Sequence, residues 1–166
     1  NCARFMKGIG FDTHRVNDTM IVGGGKAAYY LADQLLRVGI EVKIIESNLE
    51  RCKELSTLLP EAVIINGDGT DEALLREAGL ETAESFVPLT GIDEENIMLT
   101  LHAKQVSKAK AITKVNRISF QNVIDSLDIG SIIYPRIATA DRIVKYVRSA
   151  SAAQHDNNVE TLYKLA

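Results

Sequence analysis

Three consecutive glycines, Gly23, Gly24 and Gly25, follow an apolar run (Ile21-Val22) and precede a helical pattern that opens at Lys26. With Ala27 and Ala28 they form a Gly-x-Gly-x-x-Ala turn, whose chemistry suits a nucleotide pyrophosphate. The first glycine allows a sharp exit from a strand, the second lets backbone approach phosphate, and the last small residue lets the helix pack close to the sheet. The N–H groups at the helix start, aided by its dipole, would then face the anion. Lys26, inside the turn, can either reach a terminal phosphate or lie over the helix face in water. Glu46 strengthens the pattern. It ends the next apolar strand (Val42-Lys43-Ile44-Ile45) about twenty residues on, where a carboxylate would meet ribose hydroxyls. The competing explanation is a tight strand-to-helix turn that holds nothing.

Further candidates fall at the ends of later strands. Asn66-Gly67-Asp68-Gly69-Thr70 brings two glycines for close approach and Asp68 as an acceptor for an adenine amino group or a ribose. It can equally be a capping loop, with Thr70 or Asp71 at the helix N-cap, and the two uses are compatible. Thr90-Gly91-Ile92-Asp93-Glu94-Glu95-Asn96 follows the fourth strand, where the strand order of such folds reverses and ligands bind. Its acids also suit a first helical turn, with Asp93 as the cap. Lys114, Asn116 and Arg117 end the fifth strand on the same edge, and one of them could neutralise phosphate.

The elements that must position these residues alternate regularly. Strands are expected at about Thr19–Val22, Glu41–Ile45, Ala62–Ile65, Ser85–Leu89, Ala111–Val115 and Ser131–Tyr134. Between them fall helical patterns at Lys26–Val38, from Ser47 or Asn48 to Leu58, and at Asp71–Ala78, Asp93–Gln105 and Phe120–Leu127. Pro88 must lie near a strand end, because it cannot donate to the ladder. Continuous apolar strands joined by helices predict an α/β fold: a Rossmann-like, doubly wound parallel sheet of about six strands with helices on both faces.

Residues 1–18 look like a linker segment from a preceding region, 19–150 form the Rossmann domain, and 151–166 read as a linker towards a C-terminal subdomain, polar to Asn158 and then carrying Val159, Leu162 and Leu165 as a short apolar stripe. Pro135 suits the start of a last helix over 135–148, whose apolar stripe (Ile137, Ala140, Ile143, Val144, Val147) could cover the sheet edge or cross to a second copy.

The chain's 166 residues suffice for one good core. A net charge of −3 argues against non-specific nucleic-acid binding, which needs a basic field. No apolar stretch approaches a membrane span and none resembles a signal peptide. Cys2 and Cys52 lack metal-ligand spacing and read as reduced cytosolic thiols. His14, His102 and His155 fall in a linker, a helix face and a polar tail, so no base–nucleophile pair is evident. A nucleotide site without catalytic groups points to sensing rather than turnover. The alternatives are a small NAD-dependent oxidoreductase and a vestigial Rossmann assembly module.

Val22-Gly23-Gly24-Gly25, Ile44-Ile45-Glu46, Gly67-Asp68-Gly69-Thr70-Asp71 and Thr90-Gly91-Ile92-Asp93-Glu94-Glu95-Asn96-Ile97-Met98 together resemble the RCK/KTN nucleotide-binding domains that regulate potassium channels and transporters. The resemblance covers about Met20 to Arg148. It implies a six-stranded Rossmann domain that dimerises, or closes into a ring, through its last helix (135–148). It also implies binding of NAD(H), or alternatively ATP/ADP, at Gly23, Gly24, Gly25, Lys26, Ala27, Glu46, Asp68, Gly69, Thr90, Glu95 and Lys114. A cytoplasmic place at the inner face of the membrane follows, beside a potassium-translocating, TrkH/TrkG-like membrane subunit. In tandem members Asn1–Val16 would match the stretch joining two halves, and Val159–Ala166 the start of a trailing subdomain, so the chain reads as an excised second half. Ala27-Ala28 replaces a bulkier residue and the usual third glycine, and Pro88 stands where the family tends to have a small residue.

Overall fold

A computed structural model describes residues 16–117, 121–127 and 129–135. The expected linker up to residue 15, the last helix beyond Pro135 and the 151–166 tail lie outside these residues, as do Cys2, His14 and His155. The elements run β1 (Asp18–Val22), α1 (Lys26–Arg37), β2 (Glu41–Glu46), α2 (Leu49–Leu58), β3 (Val63–Asn66) and α3 (Glu72–Glu77). After a single 3-10 turn (Leu80–Thr82) come β4 (Ser85–Pro88), α4 (Asp93–Val106), β5 (Lys110–Lys114), α5 (Gln121–Ser126) and β6 (Ser131–Ile133).

The six strands lie in the order β3-β2-β1-β4-β5-β6, and every pair is parallel. The chain therefore winds outward in one direction from β1 and, after β3, in the other from β4. The reversal at β1/β4 leaves a crevice at the carboxyl edge, because the loops after these two strands depart to opposite faces.

Alternate residues of each central strand enter two separate cores. Met20, Val22, Ile45 and Phe86 pack with Leu75 of α3 and with Leu99 and Ala103 of α4. On the other face Ile21, Val42, Ile44 and Val87 pack with Ala28 and Ala32 of α1 and Leu55 of α2. Both faces are thus covered, which is why runs such as Met20-Ile21-Val22 and Ile44-Ile45 are apolar at successive positions and not at every second one. Ala28 and Ala32 are wholly buried, and alanine at these positions is what lets α1 lie close on β1.

Local chemistry terminates the helices much as the sequence suggests. Gly39 and Gly79 take φ of +78° and +93° just after α1 and α3, where a side chain would be strained. Asn48 caps α2 by accepting the Arg51 N–H at 3.0 Å, and Asp71, not Thr70, caps α3. Asp93 is a correction. The cap position of α4 belongs to Ile92 and has no side-chain bond, while Asp93 is the helix's first residue and turns its carboxylate elsewhere. Pro88 closes β4 opposite Val22. Pairing of β4 with β5 stops at Phe86–Ala111, so the missing N–H falls beyond the ladder on that side.

Candidate functional site

The turn after β1 is built so that only glycine fits its first two positions. Gly23 has φ +98°, and a Cβ there would stand 3.0 Å from the Leu89 carbonyl oxygen. A Cβ on Gly24 would stand 2.7 Å from Leu55 Cδ1 and 3.0 Å from Glu46 Oε2. Gly25 is different. It is the N-cap of α1 with an ordinary φ of −66°, nothing lies within 4 Å of a Cβ built on it, and no side chain caps the helix. Among the described residues the N–H groups of Gly25, Lys26 and Ala27 meet no acceptor. These donors stand at the positive end of a 12-residue helix, and a Cβ built on Gly25, the first of them, would meet open space.

Glu46 ends β2 beside this turn. Its Oε2 accepts the Gly24 N–H at 2.6 Å, and its Oε1 accepts the Asn48 N–H at 2.7 Å. The carboxylate therefore joins the glycine turn to the start of α2. Asn66 Nδ2 donates to the Glu46 and Ser47 carbonyls, both at 3.0 Å, which fixes the edge on which the carboxylate stands.

After β3, Asp68 Oδ1 accepts from Thr70 N at 2.9 Å and Thr70 Oγ1 at 2.8 Å. These two bonds hold its carboxyl below the ordinary value of 3.8. The capping use belongs to its neighbour Asp71, so Asp68 shapes the loop while keeping its place at the edge. A Cβ on Gly69 would collide with Val22 Cγ1.

The loop after β4 is clamped by a buried amide. Asn96, with no exposed surface, accepts from Thr90 N and Thr90 Oγ1, both at 2.9 Å, and donates to the Thr90 and Lys114 carbonyls. Asp93 accepts from Asn116 N, Asn116 Nδ2 and Arg117 N within 2.9 Å. Burial alone would raise the Asp93 carboxyl; the Asn116 and Arg117 hydrogen bonds and the Arg117 charge outweigh it and hold the carboxyl below 3.8. The acid and the amide of the Asp-Glu-x-Asn pattern thus lock the crevice loop to the end of β5.

Together these loops enclose a crevice of about 360 Å³ at the β1/β4 reversal. It is lined by Gly23, Gly24, Gly25, Glu46, Asp68, Gly69, Thr90 and Glu95 of the expected residues, and also by Val22, Ile45, Ser47, Leu89 and Gly91. The other expected residues lie apart. Ala27 lines an apolar groove with Leu31, Leu35, Val87 and Ile112. Lys114 borders the same groove, and its Nζ donates to the Thr90 carbonyl at 2.9 Å. Lys26, at the exposed first position of α1, is not in the lining. Among the described residues no lysine or arginine lines the crevice, whereas three carboxylates do. A phosphate there would be met by backbone N–H groups rather than by a cationic side chain.

Two residues were missed in the sequence. Ser47 lines the crevice directly, and Arg51 donates from Nε to the Gly24 carbonyl at 2.6 Å. The spacing of Arg51 from Glu46, on the first turn of the following helix, was the only available signal.

The TrkA-N domain family model matches residues 19–135. The Trk system potassium uptake protein TrkA of Halomonas elongata is 36% identical over 129 residues, which cover 78% of this chain and 28% of that protein. Its counterpart in Haemophilus influenzae is 35% identical over 143 residues, 86% of this chain and 30% of that protein. The chain thus spans less than a third of these relatives. Among solved structures, the TrkA-N domain of the Escherichia coli inner membrane protein ybaL matches with a TM-score of 0.70 at 18% identity, covering 81% of this chain and 98% of that one. The GsuK channel bound to NAD matches at 0.60 and 15% identity, covering 81% and 25%. At such identities the likeness is one of fold.

Proposed function

The chain belongs to the TrkA-N domain family, and from that premise we propose that its crevice binds NAD(H), or alternatively ATP/ADP, as the regulatory site of a potassium uptake system. The observation that carries this reading is the pairing of open N–H donors at Gly25 and the start of α1 with the Glu46 carboxylate beside them. The donors suit a pyrophosphate, and the carboxylate suits a ribose diol. Asp68 and Gly69, which line the same crevice as Thr90 and Glu95, are the residues we assign to the adenine end. The open space at Gly25 fits such a ligand, since a phosphate can come closer to a glycine than to any residue with a Cβ.

The role proposed is regulatory, not catalytic. His102, the one histidine among the described residues, stands near Glu72 on α3, away from the crevice lining. The clamp of Asn96 and Asp93 on Thr90, Lys114 and Asn116 gives ligand exchange a mechanical route. It ties the crevice loop to β5, which pairs with β6, the last strand before the 135–148 segment. That segment is where we place the contact with a second copy, in an assembly on the cytoplasmic side of a potassium-translocating membrane subunit. Among the described residues no helix is long and apolar enough to cross a membrane.

Calorimetric titration with NAD, NADH, ATP and ADP tests the reading. Saturable binding of at least one is expected, without consumption of bound NADH. Absence of binding to all four at millimolar concentration overturns it, and hydride transfer to a substrate would favour the oxidoreductase alternative.

A further inference from the structure

Successive peptide groups of the glycine turn are gripped by two side chains of opposite charge. Glu46 takes the N–H of the Gly23–Gly24 peptide at 2.6 Å. Arg51 Nε donates to the carbonyl of the Gly24–Gly25 peptide, also at 2.6 Å. The guanidinium is itself anchored, since its Nη1 pairs with Glu54 Oε2 at 2.6 Å on the same helix. Arg51 is only a quarter exposed and does not line the crevice, so it reaches the turn from behind.

A peptide group is planar and trans, and its carbonyl and N–H point in opposite directions. No cis peptide occurs among the described residues. Fixing the Gly24 carbonyl toward Arg51 therefore fixes the Gly25 N–H away from it, in the open part of the turn where that donor has no acceptor. Glycine is the residue least able to hold such an orientation by itself, because its φ and ψ are almost unrestricted. Gly25 carries neither a close neighbour nor a left-handed φ to hold it. The helix holds the far side of Gly25, whose carbonyl accepts the Tyr29 N–H at 3.1 Å, and Glu46 holds the Gly24 N–H; the Gly24–Gly25 peptide itself is bonded to Arg51.

From this we infer that Arg51 is a positioning residue, which presets the Gly24–Gly25 peptide so that the crevice recognises the phosphates of its ligand. The inference rests on the nucleotide reading above and assigns Arg51 to the phosphate end of that ligand, while Glu46 serves the ribose end.

The test compares ADP with adenosine, titrated by NMR into the full chain and into Arg51→Met and Arg51→Lys. Arg51→Met is expected to weaken ADP by roughly tenfold, the scale of one charge-assisted hydrogen bond, and adenosine by no more than about twofold. Arg51→Lys keeps the charge but has one nitrogen where Arg51 uses two, so it recovers only part of the ADP affinity. Equal weakening of ADP and adenosine, or no weakening of ADP, overturns the inference. Full recovery with lysine overturns it too, because charge at a distance would then be sufficient. If the unmodified chain binds NAD(H) but not ADP, NADH takes the place of ADP in the same comparison; if it binds none of NAD, NADH, ATP and ADP, the nucleotide reading falls first and this inference with it. ADP binding that both variants leave intact removes only Arg51.

Discussion

Glu46 Oε2 accepts the Gly24 N–H at 2.6 Å, so the acid that ends β2 is bonded to the turn that ends β1. A residue placed to meet a ribose is at the same time a latch between the two loops of the crevice. Its removal therefore has two separable consequences. Glu46→Ala leaves the Gly24 and Asn48 N–H groups without their acceptor and should lower stability by about 1–3 kcal/mol in urea denaturation. It should also abolish any preference for ADP over 2′-deoxy-ADP in calorimetry. A preference that survives the substitution would take Glu46 out of contact with the ribose.

Gly23 and Gly25 are two residues apart, yet should respond oppositely to alanine. Gly23→Ala forces a side chain into a left-handed conformation and against the Leu89 carbonyl, a backbone neighbour that cannot step aside. A loss of about 2 kcal/mol or more is expected in thermal or chemical denaturation. Gly25→Ala meets nothing and keeps φ in the ordinary range, so stability should stay within about 0.5 kcal/mol. Its methyl group would nonetheless take up room at the crevice wall, and nucleotide affinity should fall. Equal stability loss in the two variants would contradict this description of the turn.

Asp93 gives the fold a definite response to acid. Its carboxyl is held below 3.8 in the folded chain, so the unfolded state binds the proton more readily. The stabilisation is fully present above about pH 4 and is lost as pH falls below that value toward the folded-state pKa. Asp93→Asn should destabilise the chain at neutral pH by about 1–3 kcal/mol, because its amide nitrogen replaces one of two acceptor oxygens and faces either Asn116 Nδ2 or the Asn116 and Arg117 N–H groups. It should also flatten the decline in stability below about pH 4. Parallel curves for the two proteins in a pH series of denaturation midpoints would remove Asp93 from that role.

The frame of the candidate site was legible from spacing. The glycines and Glu46 stand where a strand-turn-helix unit must place them, and the loops after β3 and β4 share their edge because all the strands are parallel. The loop lengths that fix helix ends were legible too, as at Gly39 and Asp71. The Lys114 bond was not. A lysine ending β5 on the ligand edge reads as a phosphate partner, and nothing in its spacing announces that its Nζ also donates to the Thr90 carbonyl. Asp93 looked like a helix cap for the same reason: local rules reward an acid there, while the stronger donors came from Asn116 and Arg117.

What the sequence by itself determined, then, is the alternation of elements and the chemistry available at each strand end, since both depend on residues only a few positions apart. The tertiary structure decided which backbone groups those side chains hold. The bonds that settle it join residues 22 to 27 positions apart, from Glu46 and Arg51 to Gly24 and from Lys114 to Thr90. No local periodicity encodes such pairings. They exist because parallel packing brings the ends of β1, β2, β4 and β5 to one edge, where a charged side chain takes the nearest backbone group that its neighbours leave unsatisfied.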